Sequence, residues 1–260
     1  MDLLKVASKR SLWSEVAYIS LNIGLALAIL LVLVTTSSLW FAIGLALLSK
    51  WRIFAVRPRY WFAHLQSNLV DVIVTLSYVV LAYYATGDLL VQVILTALFV
   101  GWLLGLKPRS SRRSMTYQSG VALFVGINAL AALSPDWDVF FVAIGFWLIG
   151  YGAARHVLVA YEESAHLILL SLLWGLVVAE LGWITYYWTV AYQFTPSGSL
   201  AMAQVSVVAL LISFVAERAY RSYHLHEKIR SNDILMPLLF SVSVILLLVV
   251  FFNAAPNSII

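Results

Sequence analysis

The chain has 260 residues, of which 63% are apolar and only 11% charged, with a net charge of +4 and no cysteine. A soluble domain is nearer half apolar and a quarter charged, so the composition excludes a soluble globular fold. The lack of cysteine excludes disulfides, thiolate metal sites and a cysteine nucleophile.

A membrane-crossing helix needs about 20 predominantly apolar residues. Nine stretches answer that description: 15–35, 37–54, 60–85, 88–106, 115–133, 137–158, 165–192, 199–217 and 233–253. The predicted fold is therefore an all-α, polytopic transmembrane bundle, a single domain over 1–260. The first stretch follows a short basic segment and is too long for the core of a cleaved signal, so it reads as an uncleaved signal anchor. The second is the weakest, because Lys50 and Arg52 sit near its end and must snorkel to the interface. Turn and helix-start residues fill the short connections Thr35-Thr36-Ser37, Thr86-Gly87-Asp88, Ser134-Pro135-Asp136 and Thr195-Pro196-Ser197-Gly198. Trp13, Trp51, Trp61, Trp137 and Trp188 fall near span ends, where interfacial anchors belong.

The bases set the expected orientation. Lys5, Lys9 and Arg10 precede the first span; Lys50, Arg52, Arg57 and Arg59 separate the second and third. Lys107, Arg109, Arg112 and Arg113 separate the fourth and fifth, Arg155 ends the sixth, and Arg218, Arg221, Lys228 and Arg230 separate the eighth and ninth. These are all 16 Lys and Arg residues. With nine spans and the N-terminus inside, all of them are cytoplasmic and the C-terminus is outside. The basic balance then reflects topology, and nucleic acid is not an expected partner. The expected partners are the bilayer and, for Arg57, Arg59, Arg109, Arg112 and Arg113, anionic head groups or phosphates at the cytoplasmic face.

The third stretch carries a polar stripe. His64, Asn68, Asp71, Thr75 and Tyr78 recur at steps of four and three, so on one continuous helix they share a face. At roughly 1.5 Å per residue, Asp71 lies ~16 Å beyond Tyr60, and Glu180 ~21 Å beyond His166. Both acids are thus expected near the midplane, with no base at that depth, where two carboxylates would share a proton or a cation. Ionisable groups so placed usually face a bundle interior or an aqueous cavity. Trp183 and Tyr187 join Asn68, Thr75 and Tyr78 as expected lining of a pathway.

Two further patterns carry weaker chemistry. Glu163 and His166 have the i, i+3 spacing of a carboxylate–histidine ligand pair, but a dinuclear bundle site needs two such pairs, so no metal and no cofactor is expected. Gly101-x-x-x-Gly105 and Gly150-Tyr-Gly-Ala-Ala154 allow close helix approach. Walker, dinucleotide-binding, His-Glu-x-x-His and Gly-x-Ser-x-Gly motifs are absent from the sequence.

The segment Lys50-Trp51-Arg52-Ile53-Phe54-Ala55-Val56-Arg57-Pro58-Arg59-Tyr60-Trp61, followed by Asn68-Leu69-Val70-Asp71, resembles a stretch of uncharacterised multi-spanning membrane proteins of the Saccharibacteria group. The resemblance implies a bacterial cytoplasmic membrane and carries over no activity. The expected function is binding or translocation of a small solute or ion through a polar midplane site, led by Asp71 and Glu180. The alternatives are a membrane-embedded enzyme acting on lipid or isoprenoid phosphates at the cytoplasmic rim, and a non-catalytic partner subunit. The sequence names no substrate and no oligomeric state.

Overall fold

The computed structural model describes residues 12–53, 55–161, 166–187, 190–193 and 200–251. It is helical almost throughout: α1 Leu12–Thr36, α2 Leu39–Leu48, α3 Trp61–Ser67, α4 Leu69–Tyr84, α5 Leu89–Gly101, α6 Arg112–Leu133, α7 Val139–Val159, α8 Leu167–Tyr186, α9 Gln204–His226 and α10 Ser231–Phe251. A small antiparallel pair, β1 Ala191–Gln193 with β2 Ala201–Ala203, joins α8 to α9.

Among the described residues, six helices are long and apolar enough to cross a membrane: α1, α5 with its extension to Leu106, α6, α7, α8 and α10. The α3–α4 pair passes the same test but is bent by 70°, which makes a seventh. The bundle is thus that of an integral membrane protein; by length and composition, six or seven of the nine expected spans qualify. Two stretches fall short of that test. In the second, α2 is only ten residues long, about 15 Å at 1.5 Å per residue, half the hydrocarbon thickness. In the eighth, α9 is long but carries Glu217, Arg218 and Arg221 in its second half. The seventh stretch is also shorter than expected, because the chain leaves α8 at Tyr186 and enters β1.

Helix starts follow the local chemistry. The Asp88, Ser111 and Asp138 side chains accept hydrogen bonds from the amides of Val91 (3.2 Å), Ser114 (3.2 Å) and Phe140 (2.8 Å), each satisfying a donor that the first turn leaves free. Gly87 turns the chain between α4 and α5 at φ +101°, a conformation that costs glycine little.

Two cores meet around α4 and α6. One gathers α1, α2, α4 and α5 around Ile29, Leu33, Val79 and Leu103. The other gathers α6 to α9 around Leu123, Ile127, Phe146 and Val178. Ile73 of α4 packs against both. Close approach of α7 to its neighbours depends on glycine. A Cβ at Gly150 would lie 2.6 Å from Val178 Cβ of α8, and one at Gly152 would lie 2.8 Å from Leu69 of α4. Gly101 and Gly105, by contrast, have nothing within 4 Å of where a Cβ would sit, so that pair serves no helix contact among the described residues.

The helices alternate in direction, and contacts between their ends tie the basic segments together. The Gln118 amide near the start of α6 donates to the carbonyls of Leu106 (2.6 Å) and Arg109 (2.8 Å), and His156 of α7 lies 2.6 Å from Gln118. Tyr161, just beyond α7, donates to Glu217 of α9 (3.1 Å), and Ser222 of α9 donates to Asp233 of α10 (2.7 Å). The described bases therefore sit at one end of the bundle. Asp88, Asp136 and Asp138 lie at the other.

Candidate functional site

The break before α4 decides where Asp71 lies. Asn68 leaves the helical region with φ −106° and ψ 8°, so α4 begins at Leu69 and Asp71 falls in its first turn. The earlier depth of ~16 Å assumed one straight helix from Tyr60. With the axis turned by 70° at Asn68, α3 no longer adds depth, and Asp71 belongs to the basic end of the bundle. An acid there also faces the positive end of the α4 dipole.

The expectation that no base reaches Asp71 is overturned by two lysines. Lys50 Nζ lies 2.5 Å and Lys107 Nζ 3.0 Å from the same Asp71 oxygen, Oδ2. The side chains are 9% (Lys50), 12% (Asp71) and 33% (Lys107) exposed, so the cluster is enclosed and opens on the Lys107 side. Asp71 Oδ1 is buried without a hydrogen-bond partner among the described residues. Each lysine is delivered by a helix end. Lys50 follows α2, its amide donating to Leu47 (2.9 Å). Lys107 follows a π-helical turn, Trp102–Leu106, which its own amide closes by donating to Trp102 (2.9 Å). One carboxylate between two ammonium groups leaves a surplus positive charge.

Above the cluster runs a column of buried polar groups. Thr75 donates to the Asp71 carbonyl (2.6 Å). One turn further, Tyr78 Oη lies 2.9 Å from Thr96 Oγ1 of α5 and donates to the Ala26 carbonyl of α1 (3.3 Å). The Tyr78 ring stacks on Phe99, with centroids 4.2 Å apart. Thr96 donates to the Gln92 carbonyl (2.7 Å), and the Gln92 amide donates to the Ala82 carbonyl (3.0 Å). Of the five-residue stripe read from the sequence, Asp71, Thr75 and Tyr78 thus lie inside the bundle. His64 and Asn68 do not follow them: His64 is exposed on α3, and among the described residues the Asn68 side chain donates only to its neighbours His64 and Ser67.

Glu180 takes no part in this arrangement. Its helix, α8, packs on α7 through Ser171, Gly175, Val178 and Gly182, whereas Glu180, Trp183 and Tyr187 are exposed. The two acids are not brought together, because α7 stands between α4 and α8, touching one through Gly152 and the other through Gly150.

At the basic rim, Arg57, Arg59, Arg109, Arg112 and Arg113 are all exposed. The Arg112 guanidinium covers the Tyr161 ring at 4.3 Å, and the edges of Tyr220 and His224 meet that ring. Burial pushes the Tyr161 phenol up to about 12, and the neighbouring Glu217 carboxylate adds to the effect. Glu163 lies outside the described residues, and His166 is exposed. Among the described residues no three His, Asp or Glu side chains converge as a metal site would require.

Sequence reasoning missed Lys50 and Lys107 as partners of Asp71, treating Lys50 as an interfacial charge and Lys107 as part of the basic loop that runs to Arg113. A signal was present. Asn68-Leu69-Val70-Asp71 has a helix-start residue followed three positions later by an acid, the pattern of an N-terminus. Such a start places Asp71 beside the segment ends that carry both lysines. Comparison with protein-family models, with curated proteins and with solved structures gives no match. Fold and cluster together define the class: an integral membrane helical bundle with an enclosed ionic site.

Proposed function

We propose that this membrane protein binds and translocates a small solute or ion, which it loads at the Lys50–Asp71–Lys107 cluster and passes along Thr75, Tyr78 and Thr96. The observation that carries the reading is the second lysine. A buried staple between α2 and α4 needs one base for one acid; a further base leaves a charge that the apolar surroundings disfavour. An arriving anion can take Lys107 from Asp71, and a proton on Asp71 can release both lysines. Either event changes which helix ends are tied together, and so couples occupancy to helix movement. Asp71, Thr75 and Tyr78 keep the roles expected from the sequence; Lys50, Lys107 and Thr96 take the place of Glu180.

By the positive-inside rule the basic end is read as cytoplasmic, with the N-terminus in and the C-terminus out. The exposed arginines Arg57, Arg59, Arg109, Arg112 and Arg113 rest on anionic head groups. In a bacterial cell the membrane is the cytoplasmic one.

Purified protein in liposomes tests the reading. Proton, potassium, chloride and phosphate gradients are imposed in turn and followed with entrapped indicators. Wild-type protein is expected to dissipate at least one gradient. The paired variant Lys50→Met with Asp71→Asn removes the buried charges together and leaves Lys107 free to snorkel; it is expected to stay folded and to fall to the background of empty liposomes. Wild-type flux in that variant, or no flux of any of the four ions through wild-type protein, would overturn the proposal.

A further inference from the structure

Glu180 presents a problem that the cluster does not solve. It lies two residues from both Val178 and Gly182, which face α7, and so points almost directly away from the bundle. It is about 9 Å from the Tyr186 end of α8 and about 20 Å from the Leu167 end, within the hydrocarbon depth of a bilayer about 30 Å thick. No described residue holds it by a hydrogen bond or an ion pair. The sequence has no Lys or Arg between Arg155 and Arg218, so neither α8 itself nor the chain just before and after it carries a base. A carboxyl group on a lipid-facing surface is costly and rare.

The exposed face around it has a register. Leu169, Leu173, Leu176, Glu180, Trp183 and Tyr187 follow one another at steps of four, three, four, three and four, and all six are exposed. That is the seam of a coiled coil, with one polar residue on an otherwise apolar line, the usual device for fixing register. Copies inserted with the same topology are related by an axis along the membrane normal, so each seam residue meets its own equivalent at its own depth. A neutral carboxyl carries one donor and one acceptor and is therefore complementary to a second carboxyl. No other component is required.

We infer that α8 is the interface of a parallel homodimer in the membrane, with Glu180 hydrogen-bonded to Glu180 of a second copy. Pairing satisfies both carboxyls and removes six exposed side chains per copy from lipid. The interface lies on the far side of α7 from the Lys50–Asp71–Lys107 cluster and does not depend on what that cluster binds.

The test uses the full chain in bilayers, and the absence of native cysteine makes single cysteines clean reporters. Leu176→Cys on the seam is expected to form a disulfide-linked dimer on oxidation, and Leu98→Cys on the exposed face of α5 is expected not to. Energy transfer between labelled copies, followed as the protein is diluted with lipid, should show Glu180→Leu dissociating at about tenfold higher protein density than wild type. Glu180→Gln, which retains a donor and an acceptor, should stay close to wild type. Monomeric wild-type protein at every dilution, indicating lipid or an unrelated protein as the occupant of this face, would overturn the inference. So would equal crosslinking at positions 98 and 176, or wild-type association of Glu180→Leu.

Discussion

Asp71 holds two ammonium groups on one oxygen, and Lys50 is the more enclosed of the two. Removing the acid alone therefore strands a buried charge, whereas removing the acid with Lys50 does not. Breaking a buried pair by deleting one partner costs about 3–5 kcal/mol, while replacing both by packed neutral groups is often close to neutral. Asp71→Asn is accordingly expected to lose about 3–5 kcal/mol of stability, and the added Lys50→Met to restore most of it. Equilibrium unfolding in mixed micelles reads both. Equal stability of the single and paired variants would show that the two side chains are not energetically coupled.

Among the elements, α7 is tightly set, because Gly150 and Gly152 bring its backbone close against α8 and α4. A methyl at Gly150 meets the branched Cβ of Val178 at 2.6 Å, and no flexible chain end is there to yield. Gly150→Ala is expected to destabilise by about 1–3 kcal/mol, the usual cost of overpacking. Gly44→Ala in α2 meets nothing within 4 Å and is expected to be neutral or stabilising by up to about 1 kcal/mol. Thermal unfolding of the two variants side by side is the measurement; equal shifts would deny α7 its close contacts. The elements also show where sequence was a sufficient guide. The starts of α5 and α7 were readable because Thr86-Gly87-Asp88, and the turn Ser134-Pro135-Asp136 with Asp138 just after it, carry their turn and cap chemistry locally. The break at Asn68 was not read, since no proline or glycine marks it and the apolar run continues on both sides. Asp71, Thr75 and Tyr78 were recognisable from spacing within one helix. Lys50, Lys107 and Thr96 depend on which helices are neighbours, and periodicity along one element holds no information about that. Depth failed for the same reason as the break: a residue count measures distance only along an unbent axis.

For the whole molecule, alternation of helix direction gathers the described bases at one end. Reporter fusions after Arg59, Lys107 and Arg230 are expected to read cytoplasmic, and fusions at Gly87 and Ser134 external. An external signal at Lys107 would reverse the assigned sides. The order of the three clustered charges along the chain bears on how such a molecule can be made. Lys50 precedes Asp71 by 21 residues, and Lys107 comes last. As a nascent chain enters the bilayer from its N-terminus, α2 and α4 can settle as a neutral pair before α5 is synthesised. The surplus charge arrives only with Lys107, when α1, α2 and α4 already stand around its place, and it arrives on the side chain that keeps the most contact with water. Insertion in this order adds the surplus charge last, at the more accessible edge of the site.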